Sequence, residues 1–371
     1  MAKTWRSFAR VATPAAIAAL CAVGVSVTVF AAGEPDQSGV KPSPVKFQTK
    51  YGSLSFPEKF PAGTTLSITQ WSHFVPSYDK WFDAYAQKWG EAHNVKVTVQ
   101  HISYADLNST LAASIAAKSG PTLLQMNATP AAFIQGLQSL NDVNEAAEAK
   151  YGEGVAPCAR QTYLPIKKQW YAYCIGWVVD PGDYRISLWK DAGYPQGPVT
   201  YDDLLKGGEA IYQKTGIPVG VGMSPEIDSE FYARSLIWSF GGTVQDACGE
   251  VTLDSPQVID AVKYQTKLFH AAQTPEVFSW NAASNNQAFV SGRASYVQNS
   301  ISFYRTAQES NPKNAQDTGF RPGLKGPTGQ VHQTAHVWFI YVLPNYVTDK
   351  NQIQAAKKFM LDLTENYSSD T

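Results

Sequence analysis

A chain of 371 residues with 44% hydrophobic content can bury more than one core, which predicts two domains. Its 30 basic and 31 acidic residues give a formal net charge of −1 and no polybasic face, which excludes nucleic acid as a partner. Only 16% of residues are charged, whereas Trp, Tyr and Phe number 10, 19 and 17; in an exported protein such rings suit carbohydrate sites as well as cores.

Export is predicted at the start of the chain. Lys3, Arg6 and Arg10 precede a largely apolar run over residues 11–30, and Val29-Phe30-Ala31 supplies a cleavage pattern ahead of polar sequence. Residues 1–31 therefore read as a signal peptide removed after Ala31, placing the mature protein in the periplasm. The run is also just long enough for a membrane anchor; the cleavage pattern favours removal. Leu20 stands where lipidation of Cys21 would need a small residue, so a lipoprotein is set aside.

Residues 32–62 contain Pro, Ser and Lys without a sustained period and read as a mobile leader. From residue 63, strand and helix alternate. Leu66 to Thr69 alternates as a strand, with Trp71 at its carboxyl end. A helix that Ser77 can cap carries Trp81, Tyr85 and Trp89 at i, i+4 and i+8, a core face. Asp79 reads as an acid at the positive end of that helix. A strand over 95–99, a helix marked by Leu107, Leu111 and Ile115, a strand over 122–126 and a helix through Phe133, Leu137 and Leu140 follow. This order predicts a parallel, doubly wound sheet.

The alternation breaks over 151–168 and resumes with the apolar run 171–179, where the chain is expected to cross to a second lobe. Helical patterns fill 185–192, 201–214, 226–240 and 255–271, the last opened by Ser255-Pro256. Residues 294–298 and 337–342 read as strands returning to the first lobe. The expected division is 63–165 with 293–345 for lobe 1, and 166–292 with 346–371 for lobe 2.

Three cysteines remain after cleavage, Cys158, Cys174 and Cys248. An oxidising compartment permits one disulfide and one thiol, and Cys158–Cys174 is preferred because both flank the same short connection. A zinc site is not expected, and no cofactor or other metal is expected either. His73, His93, His101, His270, His332 and His336 are scattered. The sequence has no His-Glu-x-x-His helix, Gly-x-Ser-x-Gly elbow or phosphate loop. A secreted carbohydrate-acting enzyme remains the alternative, because a glycosidase needs only two facing carboxylates.

The chain from about residue 63 onward resembles the bacterial extracellular solute-binding proteins that include maltose- and glycerol-3-phosphate-binding receptors. The marks are Ile68-Thr69-Gln70-Trp71 leading into Asp79-Lys80-Trp81-Phe82, Ser119-Gly120-Pro121, Leu140-Asn141-Asp142-Val143, Asp191-Ala192-Gly193 with Val199-Thr200-Tyr201-Asp202-Asp203-Leu204, Gly241-Gly242, and Asn285-Asn286-Gln287-Ala288-Phe289 with Ser291-Gly292-Arg293-Ala294. Each is weak alone; their order and spacing are specific. Tyr173-Cys174-Ile175 stands where relatives often carry Tyr-Pro-Ile. The chain stops at Thr371 where relatives continue, so the C-terminal part of lobe 2 is expected to be missing.

The resemblance implies a periplasmic-binding-protein-like fold, two doubly wound α/β lobes joined by a hinge. It implies a monomer that binds a sugar or sugar-like solute between the lobes and passes it to the permease of an ABC importer; a polyol or glycerol phosphate is the other solute reading. Sites in such sheets lie beyond the carboxyl ends of strands, which points to Trp71, His73, Phe74 and Asn127. By analogy Trp238, Gly241, Gly242 and Trp280 come from the second lobe, with Asn299 and Trp338 as further candidates. Indole faces with planar amides match the flat C–H faces and hydroxyl rims of sugars.

Overall fold

The computed structural model describes residues 45–127, 129–336 and 340–366. The expected signal peptide, Trp338 and the last five residues lie outside the described residues. Residues 45–62, expected to be part of a mobile leader, instead enter the core. A short hairpin of β1 (Lys50–Tyr51) and β2 (Leu54–Ser55) seats Tyr51, Phe56 and Phe60, each at most 5% exposed. The leader was misread because its few large apolar residues have no period, yet each finds a buried place.

The first sheet begins with β3 (Thr65–Trp71), paired in parallel with β4 (Lys96–Ile102) and β5 (Leu123–Met126). Helix α1 (Pro76–His93) joins β3 to β4, and α2 (Leu107–Ala117) joins β4 to β5 after a single turn at Tyr104–Asp106. Helix α1 starts with Val75 as N-cap and Pro76 in the first turn rather than at Ser77, since Pro supplies a ready helical φ and has no N–H to orphan. Tyr85 and Trp89 are buried, and Trp81 stacks on Tyr85 at 5.4 Å. The helix expected through Phe133 to Leu140 is a short 3₁₀ segment, Pro130–Gly136, followed by α3 (Asn141–Tyr151).

Helix α4 (Ala156–Thr162) and the hairpin β6 (Tyr163–Leu164) and β7 (Gln169–Trp170) occupy the stretch read as loop. Then β8 (Tyr173–Cys174) takes the edge of the first sheet, and Cys158 is disulfide-bonded to Cys174 with their Cα atoms 5.6 Å apart. The third cysteine, Cys248, is free and exposed.

The chain leaves the first sheet through β9 (Val178–Val179) and opens the second with β10 (Gly182–Arg185). Helices α5 (Ile186–Asp191), α6 (Tyr201–Thr215), α7 (Ile227–Ser239) and α8 (Pro256–Ala272) follow, close to their expected ranges. Their ends are written locally: at α6 the Thr200 hydroxyl accepts from Asp203 N while the Asp203 carboxylate accepts from Thr200 N, a reciprocal capping box. After α9 (Ser284–Val290) come β11 (Tyr296–Gln298), α10 (Ser302–Ser310), α11 (Pro312–Gln316) and β12 (Thr318–Arg321). The second sheet has the order β11-β10-β12, all antiparallel. Residues 293–321 thus pack with the second sheet and not, as expected, with the first, so the return to the first sheet comes later in the chain.

The return runs through β13 (Ala335–His336), which pairs antiparallel with β9. The two crossing segments therefore form one ribbon between the sheets. Strand β14 (Ile340–Val342) lies between β5 and β8, antiparallel to both, and completes the order β4-β3-β5-β14-β8. The last helix, α12 (Lys350–Asn366), was expected in lobe 2 but packs on the first sheet. Ala355, Phe359, Met360 and Leu363 share its core with Phe82, Trp89 and Tyr51. A separate core of Trp189, Tyr201, Leu204, Ile211 and Leu268 serves the second sheet.

Candidate functional site

The carboxyl ends of β3 and β4 carry the first wall. Trp71 is the last residue of β3 and only 3% exposed. Its ring lies 4.4 Å from His73, 5.0 Å from Phe74 and 5.4 Å from Tyr104, the last two edge-on. Edge-to-face rings at this spacing stabilise one another beyond their buried area. The His73 ring is also 4.6 Å from Tyr78, its Nδ1 accepts from Val75 N at 2.9 Å, and its own backbone N–H donates to Asp79 at 3.0 Å. Burial pulls the His73 imidazole down to about 3, so it is neutral at ordinary pH. Asn127, just past β5, donates to the Tyr104 carbonyl at 2.9 Å and ties the two strand ends together.

The second sheet's helices face this wall. Ile227, the first residue of α7, and Ala282 pack against the Trp71, Tyr104 and Leu107 cluster, as does Val178 of the ribbon. Thr306 on α10 donates to the Phe74 carbonyl at 2.9 Å, a direct bond between the two halves. Beside Phe74 lies a groove of about 520 Å³ whose other walls include Asn286, Gln287, Thr306 and Asn311. Its size and mixture of one aromatic face with amides and hydroxyls fit a small-solute pocket.

Behind Tyr104 stands a charged group. His336, on the ribbon and 2% exposed, bonds Asp180 through Nδ1 and lies 3.1 Å from the Asp228 carboxylate through Nε2. Thr334 donates to Asp180 at 2.7 Å, Asn285 donates to Asp228 at 3.0 Å, and the Phe231 ring is 4.3 Å from the imidazole. Burial alone would lower the His336 value, but Asp180 and Asp228 outweigh it and raise the imidazole to about 9. Burial, reinforced by Asp228, Asp180, Glu226 and Glu230, pushes the Tyr104 phenol well above its ordinary range.

Of the residues expected from sequence, the structure gathers Trp71, His73, Phe74 and Asn127 in one cluster. Asn299 is buried one step behind the groove, where its amide donates to Asn286. Trp280 packs against Phe289 and Val297, and its carbonyl accepts from Ser224 at 2.6 Å. Trp238 sits ten residues along α7 from Asp228, about 15 Å at the helical rise. Gly241 and Gly242 lie beyond it. Gly241 turns the chain with φ +84°, and a Cβ on Gly242 would come within 2.8 Å of Val258, so turning and packing account for both glycines. Tyr104, Asp180, Asp228 and His336 were not picked out. Tyr104 had a usable signal, since it stands two residues past a strand end; the other three are joined only by the fold.

Three comparisons bear on this arrangement. Solved structures with similar folds include maltose-bound MalE3 of T. maritima, 20% identical with a TM-score of 0.70, covering 81% of this chain and 77% of that one. A solute-binding protein of an ABC transporter from Agrobacterium radiobacter K84 in complex with ribitol is 17% identical with a TM-score of 0.69, covering 82% and 77%. A sugar transporter protein from Arthrobacter chlorophenolicus A6 with bound laminaribiose is 17% identical with a TM-score of 0.68, covering 81% and 76%. No curated protein sequence matches the chain. Residues 84–367 match the family model described as bacterial extracellular solute-binding protein, so with its α/β fold of the periplasmic-binding type this chain belongs to that family.

Proposed function

We propose that this protein is the extracytoplasmic receptor of an ABC importer, binding a neutral sugar or polyol between its two sheets and delivering it to the membrane permease. The observation that carries the reading is Phe74, packed on Trp71 at the strand ends, which forms one wall of a groove whose other side carries amides and hydroxyls of α9 and α10. An indole or phenyl face takes the C–H side of a sugar while amides bond its hydroxyls. The maltose-, laminaribiose- and ribitol-bound relatives support the same solute class. The named lining residues include no Lys or Arg, which disfavours a phosphorylated solute. Binding rather than glycosidase chemistry is also supported by the acids: Asp180 and Asp228 both engage one imidazole instead of facing each other across open space. Export to the periplasm and a monomeric state complete the proposal.

A thermal-shift screen with maltose, laminaribiose, tagatose and ribitol tests it. At least one sugar or polyol is expected to raise the melting temperature and to bind with 1:1 stoichiometry by calorimetry, while glycerol 3-phosphate does neither. A panel in which only the phosphorylated compound stabilises the protein contradicts the neutral-solute reading, and turnover of a bound sugar contradicts the receptor reading.

A further inference from the structure

We propose that His336 is a positioning residue for the solute site: as a buried cation it ties the crossing ribbon to the first turn of α7 and so sets the wall that α7 presents to Trp71 and Tyr104. The inference rests on the receptor reading above. Three observations converge on it. The ribbon of β9 and β13 connects the two sheets, and His336 is its last residue before the return to the first. Its two carboxylate partners belong to different elements, Asp180 to the exit from β9 and Asp228 to the first turn of α7. The same end of α7 bears Ile227 against the Trp71 cluster and Phe231 against the imidazole.

The groups facing this histidine are predominantly acidic. From the ribbon side comes Asp180, with the buried Asp183 acting on it; from α7 comes Asp228, in the turn that Glu226 caps by accepting from Asp228 N and Ser229 N. From the first sheet comes the Tyr104 phenol, neutral over the working range. Removing the imidazole proton leaves Asp180 and Asp228 on either side of a neutral ring that can donate to only one of them, which weakens the tie to the helix turn. Because the histidine's value in the fold is raised to about 9 from an ordinary 6.5, its stabilising effect is complete below about pH 6.5. It is lost as pH rises through about 9.

The test has a solute-free and a solute-bound arm. In the solute-free protein the His336 imidazole, identified by its disappearance from the proton NMR spectrum of H336Q, is expected to titrate near 9 and to shift down by at least one pH unit in D228N. Backbone amides over residues 228–232 are expected to exchange at least tenfold faster in H336Q at pH 7. With the sugar of highest affinity from the panel, wild-type affinity is expected to weaken at least tenfold between pH 7.5 and 10. H336Q should bind weakly at both pH values, with no step. A titration midpoint near 6.5, unchanged exchange over 228–232, or affinity that stays flat while the imidazole titrates overturns the proposal. If no panel sugar binds, the solute reading fails and the titration and exchange decide the role of His336 alone.

Discussion

Asp362→Ala should cost about 3–5 kcal/mol of unfolding free energy. Asp362 is fully buried on α12 and gathers partners from three parts of the sequence. It accepts from the Tyr51 hydroxyl at 2.5 Å and the Trp89 indole at 2.7 Å, and pairs with Lys358 at 2.9 Å. Lys358, also fully buried, donates to the Gln48 carbonyl. Removing the carboxylate strands the Lys358 cation and two donors away from water, and that loss is much larger than the net worth of the pair. Replacing both charges with apolar residues, as in K358M/D362L, should cost less than Asp362→Ala alone. Burial would raise the Asp362 carboxyl, but the hydrogen bonds and charge of His93, Lys358 and Tyr51 hold it below the ordinary range. Its stabilisation is therefore present above the unfolded value near 4 and disappears as acid takes the pH through the lower folded value. Chemical denaturation at pH 7 measures the loss; a change below 1 kcal/mol would mean that the network adds nothing net.

Trp71→Ala is expected to weaken solute binding by about 2–4 kcal/mol, roughly 30- to 1,000-fold, as for an aromatic anchor in a desolvated centre. The indole holds His73, Phe74 and Tyr104 in their mutual packing, so its loss loosens the wall from which Phe74 meets the groove. Trp71→Phe keeps a flat ring and should recover part of the affinity. Trp238→Ala, at the far end of α7, should leave affinity within twofold. Calorimetry with one panel sugar distinguishes these, and equal affinities for wild type and Trp71→Ala would remove Trp71 from the site.

The local parts of this fold were legible. Alternation over Leu66 to Thr69, the helical pattern over 201–214 and the Ser255-Pro256 start each act over short windows, and strand β3 and helices α6 and α8 fall where those signals put them. What failed was non-local. The second sheet joins strands of three and four residues more than a hundred positions apart, and so short a strand carries little period of its own. The leader is held by Tyr51 reaching an acid 311 residues away, which no window of sequence contains. At the candidate site, the rule that ligands gather past strand ends pointed to Trp71, His73, Phe74 and Asn127, which the fold brings together, yet the tie between Asp180 and His336 spans 156 residues and exists only once the two crossings pair. For the Gly241-Gly242 pair, expected beside the ligand, the structure supplies a local reason as well: the turn after α7 and the close approach of Val258.

A sugar or polyol bound between the two sheets is expected to close them about the β9 and β13 ribbon. Two crossing segments joined in one short ribbon can absorb a rotation with few torsions, so a solute that touches both halves favours the closed arrangement. Small-angle scattering with and without a saturating panel solute measures this most directly. The account predicts a smaller radius of gyration and a higher melting temperature together, with the solute recovered chemically unchanged. A solute that binds tightly and raises the melting temperature while the scattering curve stays the same would contradict closure and make the protein a rigid binding module.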